Sequence, residues 1–141
     1  MELFKNSLEK KGNSSAVTSM SGVKDTAVGP PAEYGGSPET LNPEELFVAS
    51  INSCIMLVFY HFADKFGLRI NLYRSDAEGQ VEKTREGLRF TRVSVRAEVE
   101  LDDDSQAEKV QEAAELAEKY CLVSNSVSCP VEYTVGISVR D

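Results

Sequence analysis

LFVASINSCIMLVFYHFA, Leu46 to Ala63, runs without one acidic or basic side chain, His61 being taken as neutral. Its entry is written just upstream in Asn42-Pro43-Glu44-Glu45. Asn42 suits an N-cap, because its side-chain oxygen accepts an orphan N–H of the first turn. Pro43 at the first helical position loses no hydrogen bond and presets φ. Glu45, three residues after Asn42, completes a capping box, and both glutamates favour the positive end of the helix dipole. The exit reads Asp64-Lys65-Phe66-Gly67, a cation in the last turn followed by the residue suited to the left-handed cap. The stretch is therefore read as a helix of about six turns, apolar on nearly every face and buried at the centre of the fold. Cys54 lies in its middle.

A charge-free run of this length meets the lower limit for a membrane span, about 18 apolar residues. Ser50, Asn52, Ser53 and His61 count against hydrocarbon, and no basic cluster flanks the run to orient it. The expectation is a central helix and no membrane. The N-terminal MELFKNSLEKKGNSS has no apolar segment of a secretory signal. With 141 residues, the chain is expected to form a single domain, 1–141. A net charge of −8 argues against nucleic acid as partner. Three cysteines without CxxC spacing do not make a disulfide framework and are read as thiols in a reducing, cytoplasmic compartment.

Around the helix, residues 1–41 are poorly periodic. Leu3-Phe4 and Ala16-Val17-Thr18 are expected as short strands joined through Lys10-Lys11-Gly12-Asn13, and Pro30 to Gly36 as a stiff turn followed by a flexible one. Beyond Gly67, Leu68, Ile70 and Leu72 alternate as a strand. Gln80–Glu86 and Leu88–Leu101 form an expected hairpin, in which the phase of Leu88 and Phe90 against Val93 to Leu101 calls for a β-bulge near Thr91. Ser105 and Glu108 suggest a second capping box, opening a helix to Tyr120 whose Ala107, Val110, Ala114 and Ala117 share a face with Cys121. Val131, Tyr133, Val135, Ile137 and Val139 alternate into a last strand. Helices and strands do not alternate regularly, which gives an α+β class with a largely antiparallel sheet.

Helical spacing places Phe47, Ile51, Cys54 and Val58 on one apolar wall. A free cysteine in such a wall is most simply a small buried hydrophobe. Pairing Cys54 with His61 as nucleophile and base fails, because seven residues of helix rise about 10 Å. Three cysteines and one histidine lack the short spacings of a zinc site, so no metal is expected.

NPEELFVASINSC, ending at Cys54, and CLVSNSVSCPV, starting at Cys121, together resemble the OsmC/Ohr family of osmotically inducible and organic hydroperoxide resistance proteins. The preceding PPAEYGG is similar to the loop before that family's central helix, and the resemblance runs from about Val28 to the C-terminus. It implies an intertwined homodimer. It also implies a thiol peroxidase that reduces alkyl or fatty hydroperoxides, with Cys54 as peroxidatic cysteine, Cys121 as resolving cysteine and Glu44 as the carboxylate that pairs with an arginine. Cys54 would pass through a sulfenic acid to a Cys54–Cys121 disulfide. The implied reductant is an external lipoyl-type dithiol, not a bound cofactor, and Phe47, Ile51 and Val58 would floor the substrate pocket. The chain departs from the family in having no arginine before Arg69, with Lys24 as the cation in the corresponding loop. Lysine cannot offer a carboxylate the bidentate fork of arginine. Two other readings stand beside the peroxidase: a pocket protein that binds a small molecule without turnover, and a structural dimer with inert cysteines.

Overall fold

A computed structural model of the chain describes residues 1–140. Two compact units divide it, Met1–Phe47 and Val48–Asp141.

The first unit carries a three-stranded antiparallel sheet of β1 (Ser7–Glu9), β2 (Ala16–Met20) and β3 (Val23–Val28), in that order. Leu3 and Phe4, expected as a strand, lie outside it and are exposed. β3 was not legible because Lys24 and Asp25 interrupt any alternation. It owes its conformation to pairing with β2 across the tight Ser21-Gly22 turn, where Gly22 takes φ 76°. The Pro/Gly loop that follows closes on itself: the Leu41 N–H donates to the Ala27 carbonyl at 3.1 Å, and the Gly29 N–H to the Leu41 carbonyl at 2.8 Å. Inside it, a Cβ on Gly36 would sit 1.7 Å from the Pro30 carbonyl oxygen, so only glycine fits there.

The charge-free stretch is α1 (Pro43–Lys65). Asn42 caps it as expected, Oδ1 accepting the Glu45 N–H at 2.7 Å. The returning bond differs in detail, because Glu45 Oε1 accepts from the Asn42 side-chain amide at 2.9 Å and not from its backbone. The helix stops at Gly67 (φ 68°), with the Leu68 N–H reaching back to the Ala63 carbonyl at 2.8 Å. That is a Schellman closure.

In the second unit, β4 (Leu72–Thr84), β5 (Gly87–Leu101) and β6 (Val131–Val139) form a sheet in chain order. β4 and β5 are an antiparallel hairpin. The register places Gln80 opposite Arg92 and Val81 opposite Phe90, which leaves Thr91 as the extra residue of the expected bulge. β6 pairs parallel to β5. A parallel neighbour requires a crossover, supplied here by α2 (Ala107–Tyr120) and the single turn α3 (Leu122–Asn125). The fold is α+β, with antiparallel pairing between all its strands except at this one ladder.

Two local expectations are corrected. Leu68 and Ile70 precede the sheet, and β4 begins at Leu72, which is 44% exposed. The inward phase of β4 is Tyr73, Ser75, Ala77 and Gly79, fixed by their pairing with Val99, Ala97, Val95 and Val93. These inward residues are mostly small, which hid the true phase. Ser105 does not cap α2, whose N-cap is Gln106 without a side-chain cap bond; the side-chain cap lies one turn earlier, where the Asp103 carboxylate accepts the Ser105 N–H at 2.9 Å and starts a 3-10 turn over Asp104–Gln106.

The core of this unit joins Ile51, Ile55, Phe59 and Ala63 of α1, the odd-numbered Val93 to Leu101 of β5, and Val110, Ala113, Ala114 and Ala117 of α2. On the opposite sheet face, Arg92, Arg96 and Glu98 are exposed. Hydrophobic burial on one face and charge on the other make a two-layer arrangement. The remaining faces of α1 stay open. Of its 18-residue apolar window only 22% is buried, and Leu57 is 63% exposed. Within the single chain the helix is thus covered along one stripe.

Candidate functional site

Cys54 sits at the margin of the buried stripe of α1, half-exposed, a turn beyond Ile51. Cys121 is fully buried at the point where α2 ends. There the backbone turns extended (φ −67°, ψ 111°) before α3 begins, so the chain folds around the sulfur. The Cys54 and Cys121 side chains lie close enough to act on each other, and the backbone N–H groups of Val123 and Leu122 lie close enough to the Cys54 sulfur to favour its charged form. The first N–H groups of any helical turn lack an intrahelical acceptor. The Cys54 sulfur lies near the Leu122 and Val123 N–H groups.

The electrostatics of this sulfur are those of a desolvated group. Burial pushes the Cys54 thiol above its ordinary pKa; the Val123 N–H opposes the rise, the Cys121 side chain and its charge add to it, and the Leu122 N–H opposes it again. Among the described residues no basic side chain contributes. On balance these surroundings favour the Cys54 thiol over its thiolate.

The other residues singled out in the sequence are placed as follows. Glu44 is half-buried in the first turn of α1, and its Oε1 is buried with no hydrogen-bond partner among the described residues. Phe47 and Val58 are half-buried, while Ile51 is 0% exposed, within the stripe shared with Ile55 and Phe59. Lys24 is exposed on β3. His61 is exposed with its ring edge against Phe62, at a centroid distance of 5.0 Å. Cys129 is half-exposed and leads through Pro130 into β6; the Pro130 carbonyl accepts the Val93 N–H at 3.0 Å. No group of three or more His, Cys, Asp or Glu among the described residues is arranged to hold a metal ion.

Sequence reasoning named both cysteines but missed the donors around them. Leu122 and Val123 act through their backbones, which side-chain patterns do not advertise. The signal available was Ser124-Asn125-Ser126, a cluster of residues that bond back to nearby backbone.

Residues 36–136 match the family model described as OsmC-like protein. An uncharacterised protein of Methanocaldococcus jannaschii is 30% identical over 105 residues, a match covering 72% of this chain and 52% of that protein. The chain thus spans about half the length of that relative. Among solved structures, an OsmC-like protein of Vibrio cholerae superposes with a TM-score of 0.85 at 24% identity, covering 96% of this chain and 99% of the other. An organic hydroperoxide resistance protein of Legionella pneumophila superposes with a TM-score of 0.73 at 22% identity, covering 99% and 100%. The matched span holds all of α1, both Cys54 and Cys121, β4, β5 and the first part of β6, and on that ground the chain belongs to the OsmC-like family.

Proposed function

We propose that this chain is a thiol-dependent peroxidase that reduces organic hydroperoxides to alcohols. The observation that carries the reading is the proximity of the Cys54 and Cys121 side chains, close enough to act on each other's titration, one from α1 and one from the break between α2 and α3. Family membership and the hydroperoxide resistance named for the Legionella structure support it. In the first step Cys54 sulfur attacks the outer peroxide oxygen, the O–O bond breaks, and alcohol leaves with a proton, giving a Cys54 sulfenic acid. Cys121 then attacks that sulfur, expelling water and forming the disulfide. An external lipoyl-type dithiol restores both thiols by exchange. Glu44 is the site carboxylate in this reading, its unpartnered buried oxygen free to orient a cation.

The working species is a homodimer in a reducing, cytoplasmic compartment. What supports the dimer is apolar surface left open: Leu57 on α1, and in the first unit Leu3, Phe4, Leu8, Met20 and Val23. In this reading Phe47, Ile51 and Val58, which share the Cys54 face of the α1 sequence, are the substrate-binding residues. Apolar contacts beside the thiol reward a substrate with an apolar tail. Steady-state assays with a dithiol reductant should therefore give a higher kcat/KM for cumene hydroperoxide than for hydrogen peroxide. Equal efficiency on the two would remove the case for these apolar contacts.

A second reading has one observation in its favour. The Cys54 thiol is raised, not lowered, which is the behaviour of an inert buried cysteine in a non-catalytic OsmC-like dimer or small-molecule-binding protein. Absence of any turnover, with Cys54 unmodified by excess hydroperoxide, would favour it.

A further inference from the structure

The peroxidase reading leaves open what orients the Cys54 sulfur in a chain with no arginine before Arg69, and the following inference rests on that reading. Four hydrogen bonds hold the segment after Cys121. The Asn125 side-chain amide donates to the Lys119 carbonyl at 3.0 Å, and the Asn125 N–H donates to the Cys121 carbonyl at 3.0 Å. The Ser126 hydroxyl donates to the Leu122 carbonyl at 2.8 Å, and the Ser126 N–H to the Val123 carbonyl at 3.0 Å. The first of these bonds has a clear physical origin. Because Cys121 leaves the helix in an extended conformation, the last carbonyls of α2 lose their intrahelical donors, and the Asn125 amide supplies one to Lys119. The same bond ties α3 back onto α2, across the residue that carries the second sulfur.

We propose that Asn125 is a positioning residue for Cys54: its amide, fastened to the Lys119 carbonyl, fixes the α3 turn so that the Leu122 and Val123 N–H groups meet the Cys54 sulfur. Ser126 is the second fastener of the same turn. Neither side chain touches the reacting atoms. Their effect is relayed through two peptide donors that favour a negatively charged sulfur, and they do so where Cys121 is the titratable group acting on Cys54 and no basic side chain contributes among the described residues. After oxidation the same donors would hold the sulfenic acid facing Cys121.

The test is the pH profile of Cys54 alkylation by iodoacetamide, resolved by peptide mass spectrometry in the full chain so that Cys121 and Cys129 are read separately. Asn125→Ala should move the Cys54 midpoint upward by about one pH unit, making alkylation about tenfold slower at a fixed pH below it. Asn125→Asp keeps the size but loses the donor and should behave like Asn125→Ala. Ser126→Ala should shift the midpoint in the same direction, and it serves as the reading if the Asn125 variants do not fold. A variant that lowers the melting temperature while leaving the Cys54 midpoint at the wild-type value would overturn the proposal. The outcome is separable from the peroxidase reading. A midpoint that moves in a protein without turnover keeps the positioning role and sinks the enzyme, and turnover with an immobile midpoint does the reverse.

Discussion

At Gly79 on β4 a residue of α1 lies close against the sheet, and adding one methyl group there measures that approach. A Cβ at Gly79 would lie 2.6 Å from Val48 Cγ2 and 2.7 Å from Phe90 Cε1. Carbon atoms in good contact are about 3.5–4.0 Å apart, so each neighbour must give way by about 1 Å. Valine is stiff at χ1, and its backbone is locked in helix. Forcing an extra methyl into a packed site costs about 1–3 kcal/mol. Against that, replacing glycine within a strand by alanine gains about 0.5–1 kcal/mol from reduced backbone entropy in the unfolded chain. At the middle of both ranges the clash outweighs that gain, and Gly79→Ala should destabilise by about 1 kcal/mol. Urea unfolding followed by far-UV circular dichroism reads this directly as a lower midpoint at unchanged slope. The double variant Val48→Ala/Gly79→Ala relieves one of the two contacts, so its loss should be smaller than the sum of the single losses. Because α1 also carries Cys54, about 9 Å further along the helix axis, the clash should slow disulfide formation as well. A neutral or stabilising Gly79→Ala would show that α1 does not lie against β4 as described.

Burial sets two further outcomes. Tyr133 is held well above the ordinary tyrosine pKa by burial first, then by its bond to the Tyr73 hydroxyl at 2.8 Å, and Tyr73 is itself raised by burial. Groups whose folded pKa exceeds the unfolded value contribute full stability below the unfolded pKa, here about 10, and lose it as pH rises further. Unfolding free energy should thus fall between about pH 10 and 11 at up to roughly 1.4 kcal/mol per pH unit per group, less steeply in Tyr133→Phe, and a flat profile would contradict the buried pair. For assembly, sedimentation at micromolar concentration should give a dimer, because an apolar helix covered along a single stripe needs a second chain; a stable folded monomer would refute that.

Much of this molecule was legible because particular residues leave little choice. Asn42, Pro43 and Glu45 begin α1, and Gly67 ends it, through hydrogen bonds that depend on those side chains or on a positive φ. The bulge at Thr91 was visible as a phase conflict between Phe90 and Val93. β3 and the phase of β4 were hidden for one reason. Their conformation is imposed by neighbours, through Val17 opposite Ala27 and Val99 opposite Tyr73, and not by their own alternation. At the site, Cys54 and Cys121 were recognisable from their surroundings in sequence. The Leu122 and Val123 donors were not, since any residue except proline carries the same N–H.

The central claim is that Cys54 and Cys121 form one redox pair, with Cys129 outside it. The protein treated with one equivalent of an organic hydroperoxide, then digested and mapped by mass spectrometry without reductant, tests this most directly. The arrangement predicts a Cys54–Cys121 disulfide, absent in Cys121→Ser and retained in Cys129→Ser. A Cys54–Cys129 link, or a lasting Cys54 sulfenic acid beside a reduced Cys121, would contradict it.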